Sequence, residues 1–95
     1  MGQVSIEKQT FELIKGDFTP DEAKEILFNL LNKKINFHKD RNWSSQERLG
    51  QPDNHSLERI KVLTASKTAI LEMIEDVKKQ GTSLRVNASI SIESV

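Results

Sequence analysis

Residues 83–93 read Ser-Leu-Arg-Val-Asn-Ala-Ser-Ile-Ser-Ile-Glu. Leu84, Val86, Ala88, Ile90 and Ile92 alternate with Ser83, Arg85, Asn87, Ser89, Ser91 and Glu93. A two-residue period puts every apolar side chain on one face of a strand and every polar one on the other. No other stretch constrains the fold as much. A strand leaves its backbone N–H and C=O groups pointing sideways, so it needs a neighbour. The candidate neighbour lies at the other end of the chain. There Val4 and Ile6 alternate, and Phe11 and Leu13 resume in the opposite parity. Such a one-residue slip predicts a bulge near Gln9 or Thr10, or two short strands.

Two helices fill the interval. At Thr19-Pro20-Asp21-Glu22, threonine can cap, proline fits the first helical position and Glu22 can close a capping box. Ala23, Ile26, Leu27, Leu30, Leu31 and Ile35 then form one broad apolar face. A second helix is expected from about Ser56 to Gln80. Its stripe is Ile60, Leu63, Ile70, Ile74 and Val77, with Leu57 and Leu71 beside it. Lys78 and Lys79 suit its carbonyl end, and Gly81 stops it.

Residues 35–50 decide the length of the first helix. If it stopped near Lys39, a loop of about sixteen residues would follow, long for so small a domain. If it runs to Leu49, Gly50 supplies a C-cap, Pro52 prevents resumption and the two helices match in length. The longer helix is preferred. The expected architecture is therefore a single α+β domain spanning residues 1–95. Its order is strand–helix–helix–strand: a long antiparallel helical hairpin, with a small antiparallel sheet formed by the termini. Two strands alone are marginal in water. Dimerisation would complete the sheet and pair the hairpins.

Composition supports the expectation of self-association. Apolar residues make up 36% of the 95 and aromatics 5%, thin for a self-sufficient core in a chain this short. Disorder is argued against by periodicity and by charge balanced at 14 basic and 14 acidic residues. With no cysteine, disulfides and thiolate chemistry are excluded. No apolar run is long enough for a membrane span, and none follows a basic start, so neither a membrane nor a secretory signal is expected. The default is a cytoplasmic protein.

A continuous first helix places Lys34, His38, Arg41, Ser45 and Arg48 along the middle of its stripe. In a hairpin turning near Pro52, His38 would lie level with Lys67. This polar layer admits three readings: a hydrated seam, a layer that fixes dimer register, or an anion site of Lys34, His38, Arg41, Arg48 and Lys67. Phe37, Trp43, Ile60, Leu63, Ile70 and Ile74 are the candidate interface residues. The segment 33–48 carries a local excess of positive charge, and Phe37 and Trp43 could stack on bases. A nucleic-acid or phosphate-ligand binder is therefore the alternative to a self-associating protein-interaction module.

No motif points to catalysis or to a cofactor. His38 and His55 lack a zinc-like spacing, and His55, in a turn, is expected to cap. The four glycines are scattered, so there is no phosphate-cradling loop.

Overall fold

The computed structural model describes residues 7–95. Its elements are β1 (Gln9–Phe18), α1 (Pro20–Leu49), α2 (Asn54–Gln80) and β2 (Leu84–Ile92). The order is strand, helix, helix, strand. The two terminal strands pair antiparallel, and the helices form a hairpin between them.

The strand pairing runs from Phe18 opposite Leu84 to Gln9 opposite Ile92. Its register slips between Glu12 and Ile14, so Leu13 is the bulged residue rather than Gln9 or Thr10. The slip has a clear cause. Phe11 and Ile14 are three apart and would otherwise face opposite ways. With one extra residue between them, Phe11 falls beside Ile90 and Ile14 beside Ala88. The dry face then carries Phe11, Ile14 and Phe18 from β1, and Leu84, Val86, Ala88, Ile90 and Ile92 from β2. Leu13, expected to share a face with Phe11, does not. Val4 and Ile6 lie outside the described residues. On the wet face, Arg85 clasps Asp17 through Nε at 2.8 Å and Nη2 at 3.4 Å.

Helix α1 starts as its sequence requires. The Glu22 amide donates to the Thr19 hydroxyl at 3.2 Å, and the Thr19 amide donates to the Glu22 carboxylate at 2.9 Å. The helix continues unbroken to Leu49, where Gly50 takes a left-handed conformation with φ 65°. Only glycine adopts that region without strain. Helix α2 begins at Asn54, two residues before the expected Ser56, because Asp53 rather than a later residue caps it. Gly81, with φ 71°, ends it in the same way.

The hairpin is zipped by Ala23 and Ile35 from α1 against Leu63 and Ile74 from α2, all buried. Lys67 Nζ donates to the Asn32 side chain at 2.7 Å, and near the base Lys78 reaches Asp21 at 3.3 Å. These pairs set a register that the sequence did not suggest. His38 is level with Ser56, not Lys67. Helix α1 therefore overhangs the start of α2.

The molecule is thin and long, 55 × 37 × 15 Å. Its radius of gyration is 17.4 Å, against about 12 Å for a compact chain of this length. No helix among the described residues is long and apolar enough to cross a membrane.

Candidate functional site

The tip of the hairpin gathers most of the unusual side-chain chemistry. Because α1 overhangs, residues 50–53 must double back along its last turns. Two hydrogen bonds hold them there. The Ser45 hydroxyl donates to the Gln51 carbonyl at 2.8 Å, and the Asp53 amide donates to the Asn42 side-chain oxygen at 2.8 Å. Asp53 then turns the chain into α2. Its Oδ1 accepts from the Ser56 amide, and its Oδ2 accepts from the Ser56 hydroxyl, each at 3.1 Å.

Ser56 is completely enclosed, and His38 is only 4% exposed. Their side chains meet at 3.1 Å through His38 Nδ1. Since the Ser56 hydroxyl hydrogen goes to Asp53, its oxygen is left to accept, so His38 carries its proton on Nδ1. His38 Nε2 then bears a bare lone pair. It is buried and has no hydrogen-bond partner. Burial holds the His38 pKa below the usual imidazole value, and electrostatic repulsion, from Lys34 first and then from Arg59 and Arg41, pushes the same way. The imidazole is thus kept neutral. Asp53 is held below the ordinary carboxylate value chiefly by the Ser56 amide hydrogen bond, against the opposing effect of burial.

A histidine, a serine and an aspartate in one chain of hydrogen bonds invite comparison with a hydrolytic triad, but the order differs. A triad needs histidine in the middle and an exposed serine oxygen facing substrate. Here serine is in the middle, enclosed and bonded on both sides. The chain His38–Ser56–Asp53 locks α1 to the cap of α2.

Outside this lock lies an open groove of about 500 Å³ lined by Phe37, Asp40, Arg41, Ser44, Ser45, Arg48, Leu49 and Asp53. Its charge is mixed. Arg41 Nε stands 3.9 Å from Asp53 Oδ2, at the limit of an ion pair. Leu49 in the groove wall and Trp43 outside it are 72% and 63% exposed, because no part of α2 runs beside the overhang.

The candidate polar residues are dispersed. Arg41 and Arg48 share the groove. Lys34 and Arg41 both lie against the Phe37 ring, at 4.6 and 5.6 Å from its centroid. His38 is sealed beneath. Lys67 sits along the hairpin between Asn32 and the Phe28 ring, 5.1 Å from the ring centroid. Of the candidate interface residues, Leu63 and Ile74 are consumed inside the hairpin, Ile60 and Ile70 are half-buried, and Phe37 and Trp43 face outward. His55 does not cap; its ring lies 6.2 Å from that of His38. Among the described residues no three histidine, aspartate or glutamate side chains gather as metal ligands.

Sequence reasoning missed Ser56, Asp53 and Asn42. One signal was present: aspartate just before a helix start is a preferred N-cap. Nothing in the spacing marked Asn42. Comparison with known proteins gives no match, either to a family or to a curated protein or solved structure.

Proposed function

We propose that this chain is a cytoplasmic protein-interaction module that self-associates as a homodimer and presents the 37–55 tip to a protein partner, with no catalytic role. The observation that supports the reading is its surface. The protomer exposes 7661 Å², whereas a compact monomer of 10.8 kDa exposes about 5,500 Å². The excess is about 2,100 Å² per protomer, or about 4,200 Å² for two copies, within the roughly 2,000–5,000 Å² in total that obligate homodimer interfaces remove from water. Much of it is apolar. Phe11, Leu13, Ile90 and Ile92 on the ribbon, and Phe37, Trp43 and Leu49 at the tip, are each well exposed.

Sedimentation equilibrium over a micromolar concentration series tests the self-association. A dimer mass that falls on dilution is the expected result. A monomer mass throughout, with intact helical circular dichroism, rejects it.

The nucleic-acid or phosphate-ligand reading has Arg41 and Arg48 in one groove in its favour. Asp40 and Asp53 line the same groove and oppose an anion there. Titration with a short oligonucleotide and with inorganic phosphate at low salt separates the two readings, since phosphate contacts are strongest in that condition.

A further inference from the structure

Resting on the self-association just proposed, we infer that the dimer forms by antiparallel pairing of the outer edge of β2 with the same edge of a second copy, about a two-fold axis at Ser89. The two edges of the ribbon differ. β1 is bulged at Leu13 and carries Glu12, Lys15 and Asp17, features that discourage further pairing. β2 runs nine residues with no bulge and no proline, and no charge lies between Arg85 and Glu93. Among the described residues no third strand adjoins it.

Symmetry narrows the register. In one flat sheet the axis must stand perpendicular to the strands, so a residue pairs with one of its own parity. With the axis at Ser89, Arg85 faces Glu93 of the second copy, and Asn87 faces Ser91. On the dry face Val86 meets Ile92, and Ala88 meets Ile90. Shifting the axis to residue 88 or 90 removes the carboxylate from Arg85. The chosen register extends the existing Asp17–Arg85 clasp into a row of alternating charge across three strands. It also joins two apolar strips into a four-stranded dry face, with Phe11 and Ile90 beside Ala88 and Ile14 of the other copy. The hairpins then stand at opposite ends of the sheet instead of forming a four-helix bundle.

The test uses the full chain, which has no native cysteine. Directly opposed residues in an antiparallel pair have Cα atoms about 4.5–5.5 Å apart, within reach of a disulfide. Ser89→Cys should oxidise to a covalent dimer visible on a non-reducing gel. Ser91→Cys, whose two copies would stand about 13 Å apart, should remain monomeric on that gel. Both positions are exposed, so folding should be unaffected, as circular dichroism will verify. Glu93→Arg should weaken dimerisation about tenfold by making two cross-strand pairs repulsive. A wild-type dimer whose Ser89→Cys variant does not cross-link overturns the edge pairing and leaves self-association standing. A wild-type monomer overturns both.

Discussion

The hairpin and the ribbon solve the same problem in opposite ways. Both must cover apolar residues with few aromatics. The hairpin closes a central seam internally, with Ile74 and Leu63 packed against α1 and the buried polar pair His38 and Ser56 tied to a helix cap, and its uncovered apolar residues, Trp43, Leu49 and Met73 foremost, lie outside that seam. The ribbon leaves its dry face half open, with Phe11, Ile90 and Ile92 each exposed by more than two-fifths. Helix faces in a hairpin have a partner one turn of chain away wherever the two helices overlap. A two-stranded sheet has two faces and two edges, and the described residues leave much of its dry face open.

Substitution in the hairpin should break the molecule; substitution in the ribbon should mainly change its company. Ile74→Ala has the largest expected effect, about 2–5 kcal/mol lost on unfolding, read as a lowered urea midpoint. Ile74 is 2% exposed, so nothing but collapse of the seam can fill the cavity. Ser56→Ala comes next, at about 1–3 kcal/mol. It leaves a buried imidazole N–H without an acceptor and removes one partner of Asp53. A pH series sharpens the same contrast. The folded state keeps His38 neutral below the ordinary value of 6.5, so the unfolded chain binds the proton more readily. Stability contributed by His38 is whole above pH 6.5 and declines as pH falls from there to the lower folded value. The decline should flatten in His38→Phe. Asp17 in the ribbon acts only in a more acidic window. Arg85 holds it below 3.8, so its contribution is present above that pH and is lost beneath it. Arg85→Ala should give the smallest change, near the error of a midpoint measurement, because the pair is exposed.

Legibility in the sequence followed the same division. Element order, the α1 capping box, the run of α1 through residues 35–50 and the terminal pairing were all readable, because each rests on local periodicity or a short-range cap. The hairpin register was not. Length matching assumed a turn that wastes no residues, whereas the four residues from Gly50 to Asp53 fold back along α1 on hydrogen bonds to Asn42 and Ser45. That shift moved His38 to Ser56 and Lys67 to Asn32, dispersing a charge layer that a symmetric hairpin would have assembled. The bulge is visible as a parity slip but misplaced, since the slip is read from Val4, Ile6, Phe11 and Leu13, whereas Ile14 is the apolar residue that resumes the pairing. Only the cross-strand partners decide which residue is extra.

Pairing two strands from either side of a long helical hairpin also orders the assembly of the fold in time. β2 follows β1 by the whole length of the helical hairpin, so β1 waits without its neighbour while both helices are made. The helices close through nearby residues and can form early; the ribbon has the longest loop to close and should zip last, from Phe18 and Leu84 outward. Until then the nascent chain carries a bare β1, and any slow step in refolding should report on strand pairing while helical content is already at its final level.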